Sequence, residues 1–246
     1  LDGLIELDRA LACTADTAVA AAPVARIGYD PADLELCDEP VAAAFHAALE
    51  AIAAANDCEL VEAPLEALNR VARGFDPELG AQELAPSLRS YLASSERLPS
   101  LERVVEQLVD PHTAHMIEES IEATAGGVWT GTWHRLMNET ARLRAAYLRL
   151  LGERGIVATL RPTTPILPRP VADVLAMGVA ERGALFGRTT HFVGFATLIG
   201  APSLSLPLGP LLGHSMTGLL LESAPGTDVE LLALGRRAEA ALRSGG

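Results

Sequence analysis

The residues of this chain that could take part in catalysis are few, and one class is missing. The 246 residues contain no lysine, so all 19 basic residues are arginine. A lysine can act as a general base because burial lowers the pKa of its amine, whereas an arginine keeps its proton in proteins. Any reaction that needs an amine base must therefore obtain it from outside this sequence.

One segment, Gly213–Thr217, approaches the G-x-S-x-G nucleophile elbow of the α/β-hydrolases, with Ser215 in the nucleophile position. In those enzymes the acid and the histidine of the triad follow the nucleophile along the chain. No histidine follows Ser215, and the fifth residue of the segment is threonine instead of glycine. We therefore interpret the segment as the turn of a β-hairpin.

Two histidines, His112 and His115, lie three residues apart near Glu118 and Glu119. On one face of a helix they could bind a metal together with a carboxylate. The alternative is a solvated helix start, because Asp110-Pro-His-Thr is typical of a cap and first turn. We favour the helix start and predict neither a metal nor another cofactor, with the metal site as the minor alternative.

The only adjacent serines, Ser94 and Ser95, have no glycine beside them that would let the backbone approach a substrate oxyanion. A polar helix end explains this pair better. The acidic residues around Glu122 are typical of a solvated helix face, and no glycine-rich phosphate-binding loop occurs. From residue chemistry alone, we assign no catalytic residue.

Charge and composition exclude two classes of protein. The net charge of −13 repels phosphate backbones, which argues against nucleic-acid binding. No segment has the roughly 18 consecutive uncharged apolar residues that a membrane span needs. The chain begins at Leu1 with neither an initiator methionine nor a signal peptide, so we expect no secretion and a natural polypeptide that starts further upstream.

The cysteines indicate the compartment. There are three, Cys13, Cys37 and Cys58, an odd number without C-x-x-C spacing. Small buried thiols fit this pattern better than a disulfide framework or a zinc site. We therefore expect a reducing, cytoplasmic environment.

Hydrophobic periodicity predicts an α/β protein, and a length of 246 residues suits one large or two small domains. A β-α-β unit is expected over residues 24–62, in which an alanine-rich helix at 39–56 separates two strands, with the usual right-handed crossover. Residues 64–151 read as helical. The remaining predicted elements are strands at 155–160, 202–207 and 217–222, a helix at 189–199, and a closing helix from Thr227 to Leu242.

Within residues 155–242 the chain resembles the C-terminal half of the amidase-signature family. Gly155–Pro168 is similar to that family's strand followed by Pro-Thr-Thr-Pro, and Gly200–Gly209 resembles its Gly-x-Pro block. Gly218–Glu222 and Gly226–Asp228 match its closing strand and the start of its last helix, in the same order and spacing. Weaker upstream similarity to the mandelamide and indoleacetamide hydrolase branch lies in Arg26–Gly28, Glu59–Glu62, Leu88–Leu92 and Ser100–Leu108.

The resemblance implies that residues 1–246 form a single domain with part of the amidase-signature fold, a mixed β-sheet covered by helices, from which the N-terminal catalytic half is absent. The family cleaves amides with a Ser–cis-Ser–Lys triad, and its lysine and Gly-Gly-Ser-Ser-Gly loop lie N-terminal to the region seen here. Two departures concern the pocket. Thr197 stands where asparagine often precedes the Gly-x-Pro block, and His214-Ser215 replaces a frequent Leu-Pro.

The same resemblance implies an enzyme component whose catalytic residues come from an N-terminal amidase half, either a separate subunit or an upstream part of the chain. The implied substrate is a small or aryl-substituted carboxamide. Half of the family's sheet would leave an unpaired edge that needs a cover. The alternative is a non-catalytic binding or scaffolding subunit, such as a homodimer that pairs sheet edges. Candidate pocket-wall residues, each with strand-end or core packing as its alternative, are Thr163, Thr164, Pro165, Phe192, Thr197 and Ile199.

Overall fold

A computed structural model describes residues 1–12, 24–55, 58–127, 131–211 and 215–244. The chain divides into two compact units, which is a finer division than the single domain predicted from the sequence. Unit 1 comprises Leu1–Asn69, Arg144–Pro168 and Arg188–Gly246, and unit 2 comprises Arg70–Leu143 and Arg169–Gly187.

Unit 1 contains a mixed sheet, and this confirms the predicted fold class. Its strands are β1 (Ala25–Tyr29), β2 (Cys58–Glu62), β3 (Ala158–Pro162), β4 (Ser203–Leu211) and β5 (Ser215–Ser223). The described strands are ordered β2-β1-β3-β5-β4. Strand β1 is parallel to β2 and to β3, whereas β5 runs antiparallel to β3 and to β4. The β-α-β unit is therefore present.

The helices occupy most of the remaining described chain. They are α1 (Asp2–Ala12), α2 (Ala32–Glu35), α3 (Glu39–Ala54), α4 (Leu65–Arg73), α5 (Asp76–Leu92), α6 (Leu101–Gln107), α7 (Pro111–Ala123), α8 (Gly131–Arg154), α9 (Val171–Ala176), α10 (Val179–Thr189), α11 (Gly194–Ile199) and α12 (Asp228–Ser244). Helices α4 to α8 account for most of the described residues in the range 64–151, and α8 continues to Arg154. Among the helices of the described ranges, none is both long enough and apolar enough to cross a bilayer.

Strand β3 differs from its predicted bounds, because it starts at Ala158 and includes Arg161 and Pro162. The amide of Thr163 donates to the carbonyl of Gly218 in β5 at 2.8 Å. Because backbone amides along a strand point to alternate sides, the nitrogen of Pro162 points away from β5 and toward the side of β1. Strand β1 ends at Tyr29, opposite Leu160, so it does not reach Pro162. Proline is tolerated at this position because no neighbouring strand needs its missing N–H.

The helix predicted at 189–199 is interrupted, because α10 ends at Thr189 and α11 begins at Gly194. In the turn between them, the carbonyl of His191 accepts a hydrogen bond from the side chain of Asn69 at 3.0 Å. A tertiary bond to α4 thus takes the place of a helical one.

The two faces of the unit 1 sheet differ, because successive side chains of a strand point to opposite sides. One face is apolar and packs against α3 and α12. Its buried members include Ile27, Leu160, Leu219 and Leu221 from the strands with Phe45, Ile52, Leu234 and Ala238 from the helices. The opposite face carries Thr159, Arg161, Gly218 and Glu222, and the candidate site lies on this polar face.

Candidate functional site at the carboxyl edge of the sheet

Charged side chains gather where the three parallel strands end. Asp33 follows β1, Glu66 follows β2, and Arg161 lies near the end of β3. Arg161 is 1% exposed and Asp33 is fully buried. Nε and Nη2 of Arg161 donate to the two carboxylate oxygens of Asp33 at 2.8 and 3.0 Å. This bidentate geometry is the strongest form of an ion pair between these residue types.

The pair extends toward the turn before α11. Oε2 of Glu66 lies 3.9 Å from Nη2 of Arg161 and 3.2 Å from Nε2 of His191. Phe192 places its ring 4.8 Å from the guanidinium carbon of Arg161, within the range of a cation–π contact. The segment that carries His191 and Phe192 therefore contacts both Glu66 and Arg161 of the charged cluster.

Glu222 is a second buried carboxyl group on the same face, 1% exposed and directly opposite Thr159 in the ladder. Its Oε1 atom has no hydrogen-bond partner among the described residues. Burial raises the pKa of Glu222 from 4.5 to about 7, although Arg161 and the backbone of Ala196 act in the opposite direction. Glu222 can therefore exchange a proton near neutral pH inside the protein.

Tyr147, in α8, packs against this polar face of the sheet and is itself fully buried. Its hydroxyl donates to the backbone carbonyl of Glu222 at 3.1 Å and lies 3.2 Å from Oγ1 of Thr159. Burial raises the pKa of the Tyr147 hydroxyl well above its ordinary value, so it stays protonated. These bonds satisfy polar groups that would otherwise be costly to bury.

An accessible pair of hydroxyls lies next to the charged cluster. Oγ1 of Thr163, at the end of β3, is 2.6 Å from Oγ of Ser205 in β4. The two side chains meet across β5 because Gly218 lies between them, and a Cβ there would be 2.5 Å from the Thr163 hydroxyl and 2.7 Å from the Ser205 hydroxyl. The pair can hydrogen-bond a polar ligand, but using either hydroxyl as a nucleophile would require a base.

The loop after β3 is tied down by Asp38, the residue before α3. The amide of Asp38 donates to the carbonyl of Pro165 at 2.8 Å, and its Oδ2 accepts from the amide of Leu167 at 3.0 Å. Thr164 closes the loop internally by donating from its hydroxyl to the carbonyl of Ile166 at 2.9 Å. The backbone that follows Thr163 is thus fixed by hydrogen bonds.

The six predicted pocket-wall residues do not share one environment. Thr163 and Thr164 are half-buried and Thr197 is exposed. Pro165 is buried, and Phe192 and Ile199 are completely enclosed in the core. The three threonines could touch a ligand directly, whereas the other three would support the wall from behind. Their part in substrate binding stays a prediction.

Sequence reasoning missed the charged cluster, because Asp33, Glu66, His191 and Glu222 are far apart in the chain. One signal was available. Arg161 follows the apolar run of β3, and Glu222 follows three leucines of β5. A charged residue in an apolar strand is expected to have a buried partner, although the sequence does not tell which one.

The other sequence candidates lie elsewhere or have structural roles. Asp110 caps α7 by accepting from the amide of Thr113 at 2.8 Å, which confirms the predicted helix start. In unit 2 the His112 ring packs against Phe186 with centroids 5.9 Å apart. Over the described ranges, no three His, Cys, Asp or Glu side chains form a group that could hold a metal.

The remaining sequence candidates are divided between described and undescribed parts of the chain. Ser94 and Ser95 follow the end of α5 as predicted. Cys13, Gly213 and His214 lie outside the described residues. Burial raises the pKa of the Cys37 thiol to about 12, so it is not a nucleophile at neutral pH.

A cavity of about 660 Å³ lies at the opposite, amino-terminal edge of β1 and β3 in unit 1. Most of its lining is apolar, and it contains none of the predicted pocket-wall residues. The lining includes Leu148, Leu151, Ile156, Ala224, Ala233 and Leu234 together with Glu230 and Arg237.

The amino-acid sequence is similar to part of two longer curated proteins. No protein-family model matches the chain. It is 24% identical over 209 residues to an indoleacetamide hydrolase of Allorhizobium ampelinum, covering 83% of this chain and 44% of the relative. It is 25% identical over 187 residues to an indoleacetamide hydrolase of Agrobacterium vitis, covering 74% of this chain and 39% of that relative. The chain thus spans less than half the length of these curated relatives.

Solved structures show the same relation in the fold. An amidase crystal structure superposes with a TM-score of 0.69 at 23% identity, covering 96% of this chain and 49% of that one. The allophanate hydrolase of Kluyveromyces lactis superposes with a TM-score of 0.67 at 17% identity, covering 89% of this chain and 32% of that one. The peptide amidase of Stenotrophomonas maltophilia superposes with a TM-score of 0.62 at 19% identity, covering 97% of this chain and 49% of that one. Sequence and fold together support the predicted resemblance to the C-terminal part of amidase-signature enzymes, and the mandelamide branch stays a prediction.

Proposed function

We propose that this chain, which resembles the C-terminal part of amidase-signature enzymes, is a component of an amidase and forms a wall of its substrate pocket. The Ser–cis-Ser–Lys triad would come from a partner subunit or from an amidase segment outside this sequence. One observation carries the proposal. The similarity extends over 83% of this chain but only 44% of an indoleacetamide hydrolase, while the chain contains no lysine.

The position of the accessible hydroxyls supports a role in substrate binding. Ligands of open α/β sheets bind beyond the carboxyl ends of parallel strands, and Thr163 lies at that edge. The Thr163–Ser205 pair offers hydrogen bonds that suit an amide group, and the nearby Thr164 adds a further hydroxyl. The relatives' names support a small or aryl-substituted carboxamide as the substrate.

The buried charges would act by holding this wall in place. The Arg161–Asp33 pair fixes the end of β3, and Asp38 fixes the loop that follows it. Glu66 holds the turn at His191, which precedes α11. A rigid wall matters because a small displacement of a bound substrate from the attacking group lowers the rate steeply.

The test is to recover the assembly in which the chain exists. We would purify the protein with a C-terminal tag from its native source, measure the native mass and assay hydrolysis of indoleacetamide. The proposal expects a lysine and a Gly-Gly-Ser-Ser-Gly loop in the same assembly, whether in a second polypeptide or in a longer product, together with amide turnover. A homo-oligomer without turnover would contradict it and favour a binding or scaffolding subunit. Turnover by the isolated 246-residue chain would also overturn it.

A further inference from the structure

The cavity at the amino-terminal edge of β1 and β3 lies between helices that pack on opposite faces of the sheet. Helix α8 packs against the polar face through Tyr147, and α12 packs against the apolar face. One wall of the cavity comes from the last turns of α8, at Leu148 and Gly152. The other wall comes from α12, at Ala233 and Arg237. The volume of about 660 Å³ is within the range of small-molecule sites.

Apolar side chains line this cavity while they remain in contact with solvent. Leu148, in α8, and Val157, just before β3, are both lining residues and both exposed. Ala224, Ala233 and Leu234 add further apolar surface. Removing such surface from water is favourable and requires no directed contact. The cavity therefore suits a ligand with an apolar body.

Gly152 keeps the cavity open on the side of α8. It lies inside a helix, where glycine is less favourable than alanine. Its φ is not positive, and a Cβ built there would meet no atom within 4 Å. Neither the backbone conformation nor close packing therefore requires glycine at this position. The missing side chain leaves room for a ligand at the end of α8.

The charged part of the lining carries no net charge. Glu230 and Arg237 have opposite charges and lie seven residues apart, on the same face of α12. The hydroxyl of Thr227 already bonds the carbonyl of Ala224 at 2.7 Å. A charged ligand would lose its hydration in a mostly apolar lining that offers no net opposite charge. An anion would in addition be repelled by the net charge of −13.

We propose that this cavity is a binding site for a neutral, drug-sized molecule with a predominantly apolar body. The site goes beyond the proposed function, because it contains none of the predicted pocket-wall residues. Thr163 follows the opposite end of β3, at the carboxyl edge of the sheet. Binding in the cavity therefore requires neither the triad-bearing part nor an amide group.

Two dyes with the same aromatic framework test the class of ligand. Phenylnaphthylamine is neutral and becomes fluorescent in apolar surroundings, and anilinonaphthalene sulfonate carries an additional sulfonate group. The full 246-residue chain should bind the neutral dye saturably and at least about tenfold more tightly than the sulfonate. Failure to bind the neutral dye saturably would overturn the proposal, as would equal or tighter binding of the sulfonate.

Amide NMR shifts locate the bound dye in the wild-type chain. The amides of Gly152 and Ala233 should shift as the neutral dye is added, with the same affinity that the fluorescence titration gives. The amide of Gly80, in α5 of unit 2, is the reference and should not shift. Binding that leaves Gly152 and Ala233 unaffected would overturn the assignment of the site to this cavity.

Filling the cavity should weaken binding. Gly152→Phe places a ring at the wall formed by α8 without a clash at Cβ, so we expect at least about tenfold weaker binding of the neutral dye. Gly80→Phe is the matched control, since a Cβ on that helical glycine also meets no atom within 4 Å, and it should change the affinity less than about threefold.

A second variant fills the cavity from the opposite wall. Ala233→Leu adds apolar volume on α12 and should also weaken binding of the neutral dye. It keeps the test open if Gly152→Phe does not fold. Unchanged affinity in either cavity variant that retains the cooperative thermal transition of the wild type would overturn the proposal. An equal loss of affinity in Gly80→Phe would overturn it too.

Discussion

Arg161 and Asp33 form a bidentate ion pair across 128 residues of sequence, with side chains that are 2% and 0% exposed. The pair joins the end of β3 to helix α2. Burial by itself lowers the pKa of Arg161, but Asp33, Glu222 and Glu66 outweigh it and raise that pKa. Arg161 is therefore the cation around which three carboxyl groups are arranged.

Removing this cation should destabilise unit 1 strongly. Arg161→Met leaves Asp33 buried without a partner, and we expect a loss of about 3–5 kcal/mol in the free energy of unfolding, measured by urea denaturation. Arg161→Met combined with Asp33→Leu should recover most of this loss, because no buried charge is left unpaired in the pair. The exposed Arg142 bonds Glu139 and serves as control, since Arg142→Met should cost less than about 1 kcal/mol. Equal losses for the single and double variants would show that the pairing is unimportant.

Glu222 should make the protein less stable as the pH rises. Its pKa is raised to about 7 in the folded state from 4.5, so between these values the folded protein holds a proton that the unfolded chain has lost. The contribution is fully present below pH 4.5, declines as the pH rises, and is lost above pH 7. The shift corresponds to roughly 3 kcal/mol.

The measurement for Glu222 is the difference in unfolding free energy between the wild type and Glu222→Gln, determined by urea denaturation from about pH 4.5 to about pH 8. Subtracting the two profiles removes the titration of the other groups. The wild type should lose stability relative to Glu222→Gln over this range. A pH-independent difference would mean that Glu222 does not titrate there.

Gly218 should not tolerate even one added methyl group. In Gly218→Ala the new Cβ would meet the hydroxyls of Thr163 and Ser205 at 2.5 and 2.7 Å, so their hydrogen bond must break or the strands must move apart. We expect a loss of about 1–3 kcal/mol in thermal or urea unfolding. Gly152 in α8 is the matched control, because a Cβ added there would meet no atom within 4 Å. Gly152→Ala should stabilise the protein by about 0.5–1 kcal/mol, and similar effects at both sites would contradict the close approach.

Asp38 should control the exchange of a single amide in the loop after β3. Asp38→Ala removes the acceptor of the Leu167 amide, so we expect that amide to exchange about tenfold faster or more. The amide of Leu65, which donates to the carbonyl of Ala63, provides the internal reference and should not change. An unchanged rate at Leu167 would mean that another group holds the loop.

Thr163 should affect substrate binding in the active assembly. Thr163→Val keeps the shape of the side chain but removes the hydroxyl, and we expect KM for indoleacetamide to rise about tenfold through the loss of a hydrogen bond. Thr124 bonds a helix carbonyl in unit 2, and Thr124→Val is the control. A normal KM for Thr163→Val would remove Thr163 from the pocket wall.

The sequence predicts regular elements better than the contacts between them. Short apolar runs, alternation and turn residues locate β1, β2, β4 and β5, because these signals are local. The extension of β3 to Pro162 and the break at His191 depend on partners in β5 and α4, which no local pattern contains. The hydrogen bond between Thr163 and Ser205 could not be predicted for the same reason, because it depends on β3 and β4 lying on either side of Gly218 in β5.

The order in which the ribosome delivers the strands has a consequence for biosynthesis. Strand β1 pairs with β2, which follows closely, but its other neighbour begins only at Ala158. At typical rates of translation, β1 waits on the order of ten seconds for β3 to emerge. During that interval the ribbon formed by β1 and β2 exposes its apolar residues to solvent. The nascent polypeptide should therefore depend most on chaperones before β3 is made.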